Sequence, residues 1–277
     1  MKLLKYKIEH ISDLIVNFTK LRLKKLSNPV LVYQMGKVAS SSVYKSLKQV
    51  ADIDLFHVHR LNPENIAKIR EKYFLQGNLL PKDNQGIFLY DKLFKTPTRT
   101  VKIITLVREP IARNISAYFQ NLQFFQRIKD AHDIPNIEQL IVDFIEKYDH
   151  NVPLEWFDVE MKSITDIDIY QHTFPQQQGH QVINAPLYNL LIMRHDLDDS
   201  LKEKCIAKFL GIESISLLNF NEASSKEYAD VYKQLISSIK LPTEYVEKML
   251  ASKYAQHFYS PKELNAISTK WTGNDQG

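Results

Sequence analysis

The chain has 277 residues, of which 44% are hydrophobic and 25% are charged, so it is long enough to bury a sizeable core. Its formal net charge of +4 is compatible with an anionic ligand but is too small to indicate a nucleic-acid-binding protein. The single cysteine, Cys205, excludes an intrachain disulfide bond and is typical of a reducing compartment.

The first 28 residues are basic, and their apolar side chains recur at helical spacing, which predicts an amphipathic helix over residues 1–28. Lysines interrupt the segment, and it has no uncharged run long enough to cross a bilayer. It also lacks the small-residue cleavage site of a secretory signal. We expect this helix either to pack on the domain or to contact a membrane surface weakly. The expected location is cytoplasmic, free or peripheral to the inner face of the membrane.

A strand, a polar turn and a helix are predicted in succession over residues 29–49. The apolar run from Val30 to Tyr33 is typical of a buried strand. The turn that follows holds one lysine, several small residues and three consecutive hydroxyls, and a helix begins directly after it. This composition suits an anion, because backbone N–H groups are unpaired at a helix N-terminus and the helix dipole favours negative charge there.

The turn has two other interpretations. In the first, Ser40 or Ser41 is simply the N-cap of the helix. The second is a Walker A loop, which requires Gly-x-x-x-x-Gly-Lys-Ser/Thr. The sequence argues against the second, because Val38 follows Lys37 and Leu31 stands where the first glycine belongs.

The next apolar run, residues 53–59, is predicted as the second strand, with His57 and His59 on the same face. Ligand sites of open α/β sheets lie at the ends of such strands. An unperturbed histidine has a pKa near 6.5, which suits it to accept a proton at neutral pH. The alternative is a structural histidine held by hydrogen bonds at the sheet edge. A metal pair is disfavoured, because no third ligand stands at a useful spacing.

A near-continuous β-branched run over residues 101–107 is expected for a central parallel strand. Arg108 ends this strand, and a Glu-Pro pair leads into a predicted helix over residues 111–125 that carries Ser116 on its second turn. Arginine binds phosphate in a bidentate manner, and a serine hydroxyl adds a further donor. Arg113 is either an auxiliary contact at this site or, in the preferred interpretation, a surface residue.

Residues 126–185 are predicted to form an insertion in the domain. Three of its aromatic residues either stack on a sugar ring or pack in the core: Trp156, Tyr170 and Phe174. Asp158 and Glu160 are reserve candidates for a catalytic carboxylate.

Beyond residue 185 the pattern predicts a strand over residues 188–194 and then a helix over residues 201–210, ended by Gly211 as a C-cap. Further helices follow in the C-terminal portion. The polar tail, residues 266–277, is predicted to fray.

Two of these patterns resemble one family. Lys37-Val38-Ala39-Ser40-Ser41-Ser42 resembles the phosphosulfate-binding loop of sulfotransferases that use 3′-phosphoadenosine-5′-phosphosulfate (PAPS), and it is most similar to the carbohydrate-type branch. An arginine that ends a strand, with a serine eight residues later, resembles the 3′-phosphate motif of the same family, here Arg108 and Ser116. Segments around residues 221–229 and 253–259 resemble a bacterial group of capsular-polysaccharide synthesis proteins within the sulfotransferase clan.

The resemblance implies one sulfotransferase-like α/β domain over residues 1–277, with the insertion at residues 126–185 on the side of the acceptor. Its expected fold is a P-loop-like central parallel sheet flanked by helices, with a largely helical C-terminal portion. The implied protein is a soluble bacterial enzyme that transfers the sulfuryl group of PAPS to a hydroxyl of a carbohydrate, such as a capsular or cell-surface polysaccharide. It requires no metal and has no nucleic-acid partner.

The resemblance also implies the site residues. Lys37 is expected to neutralise charge on the departing phosphate oxygen and to act together with His59, the implied base that removes the proton of the acceptor hydroxyl. His57, Glu64 or a residue of the 126–185 segment are the alternatives for the base. The implied cofactor-binding residues are Lys37, Val38, Ala39, Ser40, Ser41, Ser42, Arg108 and Ser116.

Two other function classes stay open. One is a nucleotide-dependent kinase, which would require Mg²⁺ and ATP. The other is a non-catalytic module that binds a nucleotide or a glycan without turnover.

Overall fold

The computed structural model describes residues 25–75, 83–120, 137–218, 236 and 239–273. In chain order its strands are β1 (Pro29–Tyr33), β2 (Asp54–Val58), β3 (Val101–Val107), β4 (His180–Asn184) and β5 (Tyr188–Arg194). The labelled α-helices are α1 (Ser40–Leu47), α2 (Pro63–Leu75), α3 (Asn84–Leu93), α4 (Pro110–Gln120), α5 (Ile137–Lys147), α6 (Val152–Trp156), α7 (Asp199–Leu210), α8 (Thr243–Leu250), α9 (Lys253–Phe258) and α10 (Pro261–Thr272). A π-helical turn, Phe157–Lys162, continues α6.

The five strands form one sheet in the order β2-β1-β3-β5-β4. β1 runs parallel to both β2 and β3, β3 runs parallel to β5, and β4 pairs with β5 in the antiparallel direction. Every residue of β1 is buried, and so are six of the seven residues of β3 and of β5. The long apolar runs in the sequence follow from this burial on both faces. The predicted α/β class, with a mostly parallel central sheet flanked by helices, is confirmed.

The strand order creates a crevice between β1 and β3, where the path of the chain through the sheet reverses direction. From β1 the chain moves outward to β2 and then returns to lay β3 on the other side of β1. In open α/β sheets, ligands bind at such a switch point, outside the carboxyl ends of the two strands. The turn after β1 and the residues after β3 flank this crevice, and they carry the two motifs that the sequence singled out.

The C-terminal portion is helical, as predicted, but the expected frayed tail is wrong as far as residue 272. Ser260 begins α10 with a capping box, in which its hydroxyl and the carboxylate of Glu263 each bond the other's backbone N–H. Leu264 and Trp271 lie two turns apart on one face of α10, and both are buried. Because most residues of this segment are polar, its sequence did not indicate this short apolar face. Residues 274–277 lie outside the described residues.

Three other predictions are changed or left open by the structure. The edge strand β4 was not predicted, because Ile183 is its single buried residue and its composition is polar. β4 and α6 lie within residues 126–185, the predicted insertion, and β4 pairs with β5 in the central sheet. The helix predicted over residues 111–125 corresponds to α4, and residues 121–125 lie outside the described residues.

Most of the predicted N-terminal helix, residues 1–24, also lies outside the described residues. Residues 25–28 are irregular instead of helical. The backbone N–H groups of Ser27 and Asn28 donate to Oδ2 of Asp54 at 2.7 and 3.1 Å, which fixes the entry to β1 beside β2. Within the part of the chain that is described, no helix is long and apolar enough to cross a bilayer.

Candidate active site

The turn after β1 has an unusual backbone. Lys37 and Ala39 both have positive φ angles, 73° and 62°, which non-glycine residues rarely adopt and which cost on the order of 1–2 kcal/mol each. Between them, the side chain of Val38 is fully buried and anchors the turn in the core. A Cβ atom added to Gly36 would meet nothing within 4 Å. The turn is therefore a strained backbone held in place, with open space above its glycine.

The helix that follows the turn begins without a side-chain cap. Its N-cap residue is Ala39, so the interpretation of Ser40 or Ser41 as the N-cap is wrong. The hydroxyl of Ser40 instead lies 3.0 Å from Nε2 of His57, while Ser41 and Ser42 are half-buried. Among the described residues, no side chain caps the first-turn N–H groups of α1, so these groups remain able to bind an anion.

Two arginines from the β3–α4 junction hold the turn from the other side of the crevice. Nη1 of Arg108 donates to the carbonyl oxygen of Lys37 at 3.2 Å, and Nε of Arg113 donates to that of Gly36 at 3.0 Å. The two motifs therefore meet. Arg113 is buried, so its interpretation as a surface residue is wrong. It lies on the first turn of α4, which faces back toward the carboxyl edge of the sheet, and it also donates to Tyr148 Oη at 3.0 Å.

The N-terminus of α4 is already occupied by a carboxylate. Oε2 of Glu109 accepts from the N–H of Ile111 at 2.8 Å, and Oε1 accepts from the N–H of Ala112 at 2.9 Å. Nε1 of Trp271 also donates to Oε1, at 2.9 Å. Burial raises the pKa of Glu109, while these hydrogen bonds favour its charged form. Of the two helices that begin at the crevice, α1 and not α4 is the one left to receive an external anion.

His59 lies at the end of β2, and solvent reaches its side chain. Its Nδ1 is 3.0 Å from the carbonyl oxygen of Gln34, which can only accept, so Nδ1 carries the proton and Nε2 carries the lone pair. The surrounding protein limits hydration of the ring and lowers the pKa of His59, and the charges of Arg60 and Arg113 lower it further. At neutral pH this residue is a neutral imidazole with an unprotonated Nε2.

His57 differs from His59 in its bonding. Its Nε2 lies 3.0 Å from the Ser40 hydroxyl and 3.2 Å from Nε2 of Gln34, so this nitrogen is engaged within the protein. The ring stacks on Tyr44 and lies edge-on to His59, with centroid distances of 5.0 Å in both cases. Burial, and then the neighbouring His59, lower the pKa of His57 to about 4. Gln34, which the sequence did not single out, links the two histidines.

The carboxylates named as alternative bases lie in different settings. Glu64 is exposed on the first turn of α2, and Asp158 forms a surface ion pair with Lys253 at 2.9 Å. Glu160 is fully buried, and its two oxygens accept four hydrogen bonds. The four donors are Tyr33 Oη at 2.6 Å, Leu61 N at 2.7 Å, Asn62 N at 3.0 Å and Asn65 Nδ2 at 2.5 Å. This carboxylate fixes the chain directly after His59.

The aromatic residues of the 126–185 segment largely pack in the core. Trp156 and Phe174 are buried, and Tyr170 is half-buried. Nε1 of Trp156 donates to the carbonyl oxygen of His59 at 3.0 Å, so this indole helps to orient the histidine. Among the residues that the structure describes, no group of three or more His, Cys, Asp or Glu side chains is arranged to hold a metal ion.

One family model matches the chain. Residues 131–260 are similar to the NKWYS family, which is described as "Putative capsular polysaccharide synthesis protein". The match supports the resemblance to the capsular-polysaccharide group noted in the sequence, and it covers less than half of the chain. No curated protein and no solved structure matches.

The matched segment supplies four of the residues that support the crevice. Tyr148, Trp156 and Glu160 bond to Arg113, to His59 and to the chain after His59, respectively. Tyr254 bonds to the peptide of Arg108. Local sequence gave no signal for these contacts, because the partners lie 35 to 146 residues apart along the chain.

Proposed function

We propose that this protein is a sulfotransferase that moves the sulfuryl group of PAPS to a hydroxyl of a carbohydrate. The observation that carries the proposal is the hydrogen bond from Arg108 Nη1 to the carbonyl of Lys37. It joins two motifs that resemble the two phosphate-binding elements of that family, one at each wall of the switch-point crevice. A nucleotide with phosphate groups at both its 5′ and its 3′ position suits a site with two cationic walls.

The 5′-phosphosulfate is assigned to the turn after β1. The uncapped N-terminus of α1 offers backbone N–H groups, and Lys37 adds a positive charge. The space above Gly36 leaves room for an anionic group close to the backbone. Ser41 and Ser42 add hydroxyl donors, whereas the Ser40 hydroxyl is engaged by His57.

The 3′-phosphate is assigned to Arg108 and Ser116. Because Glu109 already caps α4, the dipole of that helix adds little attraction for an anion. Recognition at this wall therefore depends on the guanidinium of Arg108 and on the hydroxyl of Ser116, which is half-buried on α4. A guanidinium binds phosphate through paired N–H groups, which gives both charge and geometry.

The transfer step follows from the state of His59. Nε2 of His59 takes the proton of the acceptor hydroxyl while that oxygen forms a bond to sulfur. The bond from sulfur to the 5′-phosphate oxygen breaks, and Lys37 stabilises the negative charge that develops on that oxygen. The products are a sulfate ester and 3′-phosphoadenosine-5′-phosphate. The proton on His59 then passes to solvent.

The acceptor class is taken from the family similarity. A match to a capsular polysaccharide synthesis family supports a polysaccharide acceptor and a biosynthetic role. The basic amphipathic sequence pattern of residues 1–28 supports weak contact of such an enzyme with the inner face of the membrane.

The test is transfer of label from radiolabelled PAPS to a panel of capsular polysaccharides, their oligosaccharides and glycolipids. Wild-type protein is expected to label at least one acceptor, and Lys37→Ala to lower the rate by about 10²–10³-fold. Lys48→Ala is the matched control, because Lys48 is exposed at the other end of α1.

Other outcomes overturn the proposal. Phosphate transfer that requires ATP and Mg²⁺ would make the protein a kinase. Tight binding of 3′-phosphoadenosine-5′-phosphate without turnover across the panel would make it a non-catalytic module. Absence of both binding and transfer would reject the nucleotide site itself.

A further inference from the structure

We propose that Tyr254 is a positioning residue that sets the preference for 3′-phosphorylated nucleotides by fixing the peptide of Arg108. The inference rests on the proposed function, because it concerns the wall assigned to the 3′-phosphate. Tyr254 lies on α9, 146 residues from Arg108 in sequence. Its hydroxyl accepts from the N–H of Arg108 at 3.2 Å and donates to the carbonyl oxygen of Arg108 at 2.8 Å.

Arg108 needs such a partner because of its place in the chain. It follows the last residue of β3 and precedes α4, whose first residue is Pro110. Its N–H and C=O groups therefore belong to neither the ladder of the sheet nor the helix. A residue whose N–H and C=O groups are both held has little freedom in φ and ψ, so the direction of its Cα–Cβ bond is fixed. Tyr254 thus fixes the backbone position from which the Arg108 side chain extends.

The Tyr254 side chain is itself rigid. It is fully buried and packs against Phe157 and Phe258, with ring centroids 6.2 and 5.1 Å away. Burial raises the pKa of Tyr254, so the hydroxyl keeps its proton and remains a donor to the Arg108 carbonyl at neutral pH. Nε1 of Trp271, on α10, donates to the side-chain carboxylate of the next residue, Glu109. The C-terminal helices therefore hold the β3–α4 junction in place.

The test is the affinity of full-length Tyr254→Phe for two nucleotides, 3′-phosphoadenosine-5′-phosphate and AMP, measured by calorimetry. The substitution keeps the packed ring and removes both hydrogen bonds. Without these bonds the bound bisphosphate must itself order Arg108, at a cost comparable to one or two net hydrogen bonds, so its affinity should fall about fivefold to tenfold. AMP lacks the 3′-phosphate, so its affinity is expected to stay unchanged and the ratio of the two affinities to fall.

Tyr259→Phe is the matched control. Tyr259 is also buried, five residues further along the chain, but its hydroxyl has no hydrogen-bond partner among the described residues. Its removal should leave both affinities unchanged. A purely structural role for Tyr254 would lower the melting temperature of Tyr254→Phe without moving the affinity ratio, and that result overturns the inference.

Two further measurements separate this inference from the proposed function. If wild-type protein does not distinguish the two nucleotides, the proposed 3′-phosphate site fails, and the role of Tyr254 fails with it. If wild-type protein distinguishes them and Tyr254→Phe does so equally well, only the inference fails. Amide hydrogen exchange in the wild-type protein needs no variant. The N–H of Arg108 should exchange slowly, and rapid exchange would contradict the proposed contact with Tyr254.

Discussion

Arg108 and Lys37, 71 residues apart in sequence, are joined by a hydrogen bond of 3.2 Å from a guanidinium nitrogen to a backbone carbonyl. The contact spans the crevice between β1 and β3, so the side chain assigned to one phosphate group also supports the turn assigned to the other. A change at Arg108 is therefore expected to affect both ends of a bound nucleotide, but unequally.

We predict that Arg108→Ala weakens binding of 3′-phosphoadenosine-5′-phosphate by about 10–100-fold, since hydrogen bonds to charged groups contribute about 1.5–3 kcal/mol. AMP lacks the 3′-phosphate, so its affinity should fall much less, and only because the turn after β1 is held less firmly. Calorimetric titration of both nucleotides measures the difference. An equal loss for the two would show that the 3′ role of Arg108 is wrong.

The second prediction concerns His59. His59→Ala should leave nucleotide affinity intact and remove turnover, because the ring is assigned to the acceptor and not to the phosphates. In the wild-type protein the base must be deprotonated, and its pKa is lowered by the surrounding protein. The acid limb of the profile of kcat/KM against pH should therefore have its midpoint below 6.5, the ordinary histidine value. Turnover retained by His59→Ala would assign the base to another residue.

The parallel core and the position of the two motifs at its carboxyl edge could be predicted because they are encoded locally. A continuous apolar run marks each of β1, β3 and β5, and parallel strands place the residues that follow them at one edge. The supports of the site are not encoded locally. Tyr254 makes two hydrogen bonds to a residue 146 positions away, and Trp271 makes one to a residue 162 positions away. Nothing near either residue in the sequence indicates these partners. Burial of Arg113 follows from the direction of the first turn of α4, which composition does not reveal.

The third prediction uses the open space at Gly36. Gly36 does not have a positive φ, and an added Cβ would meet nothing within 4 Å, so Gly36→Ala should leave the melting temperature nearly unchanged. Affinity for 3′-phosphoadenosine-5′-phosphate should fall if its 5′-phosphate lies in that space. Gly179→Ala is the contrasting variant, because φ there is +68° and the new Cβ would lie 2.6 Å from Cδ2 of Leu197. It should be destabilised by about 1 kcal/mol or more. Undiminished affinity in Gly36→Ala would place the ligand elsewhere.

The fourth prediction distinguishes the two carboxylates of the π-helical turn. Glu160→Gln replaces one acceptor oxygen by an amide donor inside a set of four donors, so it should lower the free energy of unfolding by about 3 kcal/mol or more. Asp158→Asn removes one partner of a surface ion pair and should change the free energy of unfolding by less than about 1 kcal/mol. Urea unfolding followed by circular dichroism measures both. Similar small effects would mean that Glu160 does not hold the chain after His59.

The last prediction concerns acid stability and His57. Burial lowers the pKa of His57 to about 4, whereas an unfolded chain binds this proton near 6.5. The contribution of His57 is therefore complete above pH 6.5 and is lost as the pH falls toward 4, because the unfolded state then binds one proton more than the folded state. Over that range one proton changes the free energy of unfolding by about 1.4 kcal/mol per pH unit. We expect the free energy of unfolding of His57→Gln to depend less steeply on pH between 6.5 and 4 than that of the wild-type protein. The difference in slope should correspond to at most one proton. Other titrating groups cancel in the comparison with wild-type protein. Parallel curves from urea unfolding at several pH values would show that His57 binds its proton equally well in both states.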